Sequence, residues 1–258
     1  MRMSALDRFS LKGKVIVLTG GAGLYGRGLT HDLASAEAEL VIASRNVDAL
    51  EQVAAEERAL GGSVTAMMLD QADQASVTAL RDSVLAKFGR IDGLVNNAVA
   101  RPMKGPDDLA GWVESMRVNA TGLYLATHVL GKAMNTGGSI VNIGSIQGMV
   151  GPSFELYAGT SMGEPCPDYF FHKGGMENLT RYYASSLGRQ GVRVNCLSPG
   201  GFYSGQPEPF LTRYNEHTML NRMADPEDLG GCVIFLLSEA SRYVSGANLP
   251  VDGGYTAK

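Results

Sequence analysis

The chain is poor in the residues that would place it in several common classes. Three cysteines in 258 residues, Cys166, Cys196 and Cys232, are widely spaced and odd in number. They form neither a C-x-x-C ligand pair nor a disulfide framework, which fits a reducing, cytoplasmic setting. Tryptophan occurs once. Positive charge is not in excess: 22 Lys and Arg face 26 Asp and Glu, a net charge of −4, so there is no basic field to hold nucleic acid or an anionic membrane. No apolar run reaches the roughly 18–20 residues of a membrane span. Residues 1–10 include Asp7 and lack the long apolar core of a signal peptide. Glycine is what the chain has in abundance, 33 residues, nearly twice the ordinary share of roughly 7%. No Gly-X-Y period accompanies it, and 45% apolar residues is too many for a disordered chain. The glycines therefore belong to a folded globule.

Short β-branched runs alternate with helix-length amphipathic segments. Strands are expected at residues 14–19, 39–44, 63–70, 91–96, 139–145, 192–198 and 248–251. Helices are expected at 26–38, 47–60, 74–88, 111–134, 168–189 and 226–237. Val77, Leu80, Val84 and Phe88 recur at helical spacing. The strands VIVL, GLVN and SIVNI are nearly continuous apolar runs, as in a parallel sheet covered on both faces. The fold class is α/β: a Rossmann-type, doubly wound parallel sheet of about seven strands flanked by helices. With no repeat or linker, residues 1–258 read as one domain. Two stretches break the rhythm, 147–167 and 200–224. Long loops after strands of such a sheet lie over its carboxyl ends, and both are read as substrate-enclosing.

Thr19-Gly20-Gly21-Ala22-Gly23-Leu24-Tyr25-Gly26 joins the first strand to the first helix. Glycines there let the backbone turn sharply and approach a pyrophosphate at the helix N-terminus. Added to it are Asp70 after the third strand, Asn96-Asn97-Ala98 after the fourth, Asn119, Ser145, Tyr169-x-x-x-Lys173, Pro199-Gly200 and the closing Val251-Asp252-Gly253-Gly254. In this order the chain resembles the short-chain dehydrogenase/reductase family over almost its whole length. The resemblance implies a nicotinamide-dependent oxidoreductase interconverting a secondary alcohol and a ketone, often a tetramer, here a homotetramer or homodimer. Its ending and its 200–224 loop are similar to gluconate and other sugar or polyol dehydrogenases, so a polyhydroxylated substrate is expected.

Tyr169 and Lys173, four apart on a helix, can project into one site. A free phenol, with a pKa near 10, is a poor base near neutrality. Lowering it by about three units takes roughly 4 kcal/mol of differential interaction, which a nearby ammonium can supply. Tyr169 then moves the proton while the cofactor moves the hydride. The Ser145 hydroxyl can donate to a carbonyl oxygen as charge gathers there. The resemblance implies that Asn119 supports Lys173 through a water-linked relay and that Lys173 holds the nicotinamide ribose. Tyr157 is a rival for the proton-transfer role, nearer the usual distance from Ser145, but Ser161 stands where its lysine would be.

Cofactor contacts are expected from Gly20, Gly23, Leu24, Tyr25 and Gly26 in the turn, and from Ser44, Arg45 and Asn46 after the second strand. Further contacts come from Asp70 and Gln71, Asn97 and Ala98, Tyr169 and Lys173, and Pro199, Gly200, Phe202 and Ser204. By resemblance Asp70 bonds the adenine and the 199–204 segment holds the carboxamide. The second strand ends Ala43-Ser44-Arg45-Asn46, without the acid that would bind a ribose 2′-hydroxyl and with a guanidinium suited to a phosphate. NADP(H) is favoured, with NAD(H) the alternative. No metal is expected. Arg101, Lys104, Arg213 and His217 could serve a carboxylate, but each reads first as solvated surface.

Three departures from the family pattern leave other functions open. Glycine stands at position 23 where single-domain members have it at 24, the Ser145–Tyr169 interval is about doubled, and Val99 replaces a glycine after Ala98. The first two resemble nucleotide-sugar epimerases and dehydratases, although the short chain leaves no room for their second domain. A non-catalytic dinucleotide sensor is the third reading, opposed by the intact Asn119, Ser145, Tyr169 and Lys173 set.

Overall fold

A computed structural model describes residues 4–257; residues 1–3 and 258, part of the expected single-domain span and of the N-terminal reading, lie outside the described residues. Seven strands form one parallel sheet in the order β3-β2-β1-β4-β5-β6-β7. They are β1 Val15–Thr19, β2 Glu39–Ser44, β3 Ser63–Met68, β4 Gly93–Asn96, β5 Ser139–Ile143, β6 Arg193–Pro199 and β7 Asn248–Val251. The expected Rossmann-type sheet is therefore observed. Side-chain alternation explains its two buried faces. Ile16, Leu18, Leu40 and Ile42 enter one core with Leu29 and Leu33 of α1 (Leu24–Ser35), Leu50 and Val53 of α2 (Val47–Ala59), and Leu236. Their neighbours Val15, Val17, Val41 and Ala43 enter the other, against Val77, Leu80 and Val84 of α3 (Gln74–Phe88), and Leu130, Tyr183 and Leu187. Each such aliphatic side chain, fully buried, contributes about 1.5–3 kcal/mol.

Three expected elements differ in detail. The single helix anticipated over 111–134 is α4 (Leu109–Ser115), a π-helical turn (Met116–Thr121) and α5 (Gly122–Lys132). The π turn carries Asn119, and such widened turns concentrate at functional positions. The 200–224 stretch contains a helix, α7 (Glu208–His217), which Pro207 at its N-cap and Pro209 in its first turn start rather than prevent. The helix expected over 226–237 is a 3₁₀ turn capped by Asp225, followed by α8 (Gly230–Leu237). The catalytic-helix expectation is met by α6, Pro167–Gly188.

Between β1 and β4 the strand order reverses, and the loops leaving these strands diverge to opposite faces, opening a crevice at the carboxyl edge. The turn after β1 fits tightly there. Gly20 is left-handed (φ 73°), and a Cβ on Gly26 would lie 2.0 Å from the Gly20 carbonyl oxygen. A side chain at either position would push the turn out of the crevice.

The central strands are tied to α5 and α6 by a buried polar chain. Asn96 Nδ2 donates to Asn142 Oδ1 (2.8 Å) and Thr127 Oγ1 (3.0 Å), and Asn142 Nδ2 donates to Thr180 Oγ1 (2.9 Å). Replacing the middle member leaves buried groups without partners. Asn142→Leu is expected to lower unfolding free energy by about 1–3 kcal/mol, read as a reduced urea midpoint with unchanged slope.

Candidate active site

One cleft of about 800 Å³ runs along the carboxyl edge of the sheet, within the usual range for small-molecule sites. At one end stands the glycine turn. Gly23 caps α1 with extended backbone and no side-chain bond, so the first amides of the helix face the cleft. Tyr25 donates to the Gly200 carbonyl at 2.9 Å and packs edge-on against Phe202, joining the glycine turn to the 199–204 segment. Asn97 bonds the Thr19 and Gly20 carbonyls through Nδ2, which fixes the turn from the β4 side.

The expected cofactor contacts converge on this cleft from the ends of β1 to β6. Gly20, Gly23, Leu24, Tyr25, Ser44, Arg45, Asn46, Asp70, Gln71, Asn97 and Ala98 all line it, as do Tyr169, Lys173, Pro199, Gly200, Phe202 and Ser204. Gly26 is not on the wall; its place is behind the turn, against Gly20. Arg45 is exposed at the rim. The glycine cradle, the free helix terminus and the cleft volume fit a dinucleotide.

Ser145 lies just past β5, and its Oγ accepts from the Gln147 amide (3.1 Å), starting a 3₁₀ turn. Tyr169 reaches toward it from the first turns of α6, and Ser145 helps hold its phenol pKa down. Lys173, 3% exposed, follows one turn later and donates to the Ile143 carbonyl at 2.5 Å. Two cations flank the phenol: Lys173 Nζ is 5.6 Å and the Arg101 guanidinium carbon 4.5 Å from the ring centroid. Burial pushes the Tyr169 phenol up, but the charges of Lys173 and Arg101 and the bonds from Ser145 and Arg101 outweigh it, and the pKa falls below its ordinary value. Burial likewise pulls the Lys173 ammonium down. In the rival Tyr157, also on the cleft wall, burial wins and the phenol moves up. Of the two phenols, Tyr169 is the one held below its ordinary pKa.

Arg101, open to serving a carboxylate but read first as surface, is exposed and stands over the Tyr169 ring. The only signal was its place in the loop after β4. Arg213 is also not free surface: it donates to the carbonyls of Glu155 (3.0 Å), Leu156 (3.4 Å) and Ala158 (2.5 Å). Lys104 is exposed and away from the cleft, and His217 bonds the Arg213 carbonyl. The Asn119 side chain is engaged with the Ala100 backbone in both directions at 2.8 Å and with Ser115 at 3.0 Å. It lines a small cavity behind Lys173 rather than the main cleft. His172, between Tyr169 and Lys173, is buried and was missed. Among the described residues no cluster of His, Cys, Asp or Glu could hold a metal ion, and no helix is long and apolar enough to cross a membrane.

A dinucleotide cradle leading to a serine, a tyrosine and a lysine at the end of β5 defines a nicotinamide-type oxidoreductase site. The family model described as enoyl-(acyl carrier protein) reductase matches residues 23–256. The chain belongs to the short-chain dehydrogenase/reductase family and is a dehydrogenase/reductase of that family. It is 34% identical over 265 residues to the 2,5-dichloro-2,5-cyclohexadiene-1,4-diol dehydrogenase of Sphingobium indicum, covering 96% of this chain and 98% of that one. It is 31% identical to the D-threitol dehydrogenase of Mycolicibacterium smegmatis over 259 residues, 97% and 95% of the two chains. Among solved structures it is similar to a gluconate 5-dehydrogenase from Burkholderia cenocepacia in complex with NADP and tartrate. The TM-score is 0.89, with 31% identity, covering 99% of this chain and 100% of that one. These relatives support oxidoreduction of a secondary alcohol.

Because Arg101 helps hold the phenol down, its loss raises the Tyr169 pKa. Alcohol oxidation needs the phenolate, so its acid limb then moves to higher pH. Arg101→Gln is expected to shift that limb up by about half a unit or more, checked by the pH dependence of kcat/KM.

Proposed function

We propose that the protein oxidises a secondary alcohol of a sugar, sugar acid or polyol to the ketone, and reverses the reaction, with NADP(H) as the preferred partner. The observation that carries this is the Tyr169 phenol, flanked by Lys173 and Arg101 and held by them below its ordinary pKa. A nicotinamide bound in the cleft supplies hydride exchange at the carbinol carbon. Tyr169 accepts the hydroxyl proton as that carbon is oxidised, and returns it in the reverse direction. Ser145 donates to the substrate oxygen while charge builds there. Lys173 keeps the phenolate favoured and holds the ribose of the cofactor. Gly20, Gly23 and the α1 terminus take the pyrophosphate, with Asp70 at the adenine.

The preference for NADP rests on Arg45, the cation at the cleft rim after β2, where a carboxylate would favour NAD. The polyhydroxylated substrate is supported by the likeness to a D-threitol dehydrogenase and a gluconate 5-dehydrogenase. At the substrate end of the cleft, residues 147–167 and 200–224 meet through the Arg213 bonds and, with Ile146, a small core of Leu156, Phe210, Tyr214 and Met223. Together they form one wall that encloses the substrate. Assembly into a homotetramer or homodimer is supported by apolar side chains left exposed on α4, α5 and α6, among them Val113, Tyr124, Phe171 and Tyr182.

A screen of polyols, sugars and sugar acids with both nicotinamides, followed by cofactor absorbance, tests the activity. Net NADPH formation is expected; a tightly co-purified nicotinamide with no net reduction by any alcohol would point to an epimerase or dehydratase instead. Tyr169→Phe is expected to lower turnover by about 10²–10⁴-fold with NADP affinity nearly unchanged, measured by fluorescence titration. Arg45→Ala is expected to weaken NADP by about tenfold more than NAD, and equal losses would remove the phosphate contact.

A further inference from the structure

Arg27, Arg58, Arg117 and Arg222 each stand against a carboxylate. Arg101, in the loop after β4, does not. It lines the cleft, is exposed, and forms no ion pair among the described residues. Its guanidinium carbon lies 4.5 Å from the centroid of the Tyr169 ring. A planar fork of N–H donors therefore stands over the phenol that takes the substrate proton. The enlarged 147–167 loop brings a second donor. Tyr157 lines the same cleft, its ring edge-on to Phe210 with centroids 5.2 Å apart. Arg213 of α7 grips the backbone on either side of it, at the Glu155, Leu156 and Ala158 carbonyls. Burial pushes the Tyr157 phenol up, so it keeps its proton near neutrality, and Arg101 and Tyr169 are among the groups that act on it. The acids that line the cleft are not paired with Arg101. Asp70 follows β3, Glu164 is exposed, and Asp168 acts with Asp108 on the Cys166 thiol.

We propose that Arg101 and Tyr157 form a carboxylate subsite beside the reacting carbinol, and that the substrate is a 2- or 3-hydroxy acid. This narrows the oxidoreductase reading above, on which it rests. Guanidinium and phenol both donate, and a carboxylate has two oxygens to accept. Such charge-assisted bonds are about 2.7–2.9 Å long. Because the guanidinium stands over the Tyr169 ring itself, a carboxylate held by Arg101 and a hydroxyl held by Tyr169 are close neighbours on one carbon chain. The oxidised carbon is then the one that bears the carboxylate, or the next. Met103, Val150, Leu156 and Met162 add apolar wall to the cleft, and excluding water strengthens a charge-assisted bond. In the oxidation, the carbinol hydrogen leaves with its electron pair as hydride to the oxidised nicotinamide. The hydroxyl proton goes to Tyr169, and the product is the 2- or 3-oxo acid.

The test pairs aldonates with the alditols that carry CH2OH in place of the carboxylate: D-gluconate with D-glucitol, and D-erythronate with erythritol. Rates are read above the acid limb, where Tyr169 ionisation does not differ between variants. Native enzyme should prefer the acid by about tenfold or more in kcat/KM, and the product should carry its ketone at C2 or C3 by NMR. Arg101→Gln should remove about tenfold of that preference, Arg101→Lys should retain part of it, and Tyr157→Phe should lower it several-fold. No preference for the acid, a ketone further along the chain, or equal losses on acid and alditol in Arg101→Gln would overturn the subsite and leave the oxidoreductase reading standing. Oxamate, which sets a carbonyl oxygen next to a carboxylate, probes the subsite without turnover. Calorimetric titration of the NADPH complex should show it binding native enzyme about tenfold more tightly than Arg101→Gln; no binding, or equal binding, would overturn the subsite. Native enzyme that binds oxamate in this way but oxidises neither acids nor alditols would overturn the oxidoreductase reading instead.

Discussion

Everything at the active end of this molecule depends on keeping one ammonium charge out of bulk water. Lys173 is 3% exposed, and a buried charge is tolerated only when partners replace its hydration. Its direct protein partner is the Ile143 carbonyl, the last residue of β5, so the end of that strand and the second turn of α6 are locked together. Gly148 allows the approach, because a Cβ there would lie 2.7 Å from the Lys173 backbone. The same charge, with Arg101, outweighs the burial of the Tyr169 phenol. The site is thus a balance of desolvation against two cations.

The sheet supplies the frame for that balance. In a parallel sheet all carboxyl ends share one edge, so loops far apart in sequence gather over it. The reversal of strand order between β1 and β4 opens the crevice, and the Asn96–Asn142–Thr180 chain holds β4, β5 and α6 in register beneath the catalytic groups. Two cofactor-side segments are then joined by Tyr25 to Gly200, and two substrate-side segments by Arg213. Conserving the frame while varying the second pair of segments is a physical route by which relatives acting on a chlorinated cyclic diol and on D-threitol can share one fold.

Local chemistry made most of the architecture legible. Strand placement followed from unbroken β-branched runs, and all seven strands occur close to their expected positions, from VIVL in β1 to NLPV in β7. Gly20 and Gly26 were legible because only glycine permits that turn and that contact. Tyr169 and Lys173, an ordinary helical pair by spacing alone, were legible only together with the rest of the family pattern. The breaks were not. The π turn that carries Asn119 leaves no periodic signature in a continuously helical pattern, and α7 starts at two prolines that read as loop.

By itself the sequence determined the order of elements, the glycine turn and the Ser145, Tyr169 and Lys173 set, since each depends on residues close in the chain or on a strand-end position. The tertiary structure adds a physical difference between Tyr169 and Tyr157, both of them on the cleft wall: two cations outweigh burial at the first, and burial wins at the second. It also set the exposed Arg101 over the Tyr169 ring, made Arg213 a tie between two loops, and buried His172 with no hydrogen-bond partner for its ring nitrogens among the described residues. Charge and hydrogen-bond effects act over a few ångströms through space. Whether a side chain acts in the site or stands in solvent is therefore settled by what folding brings beside it.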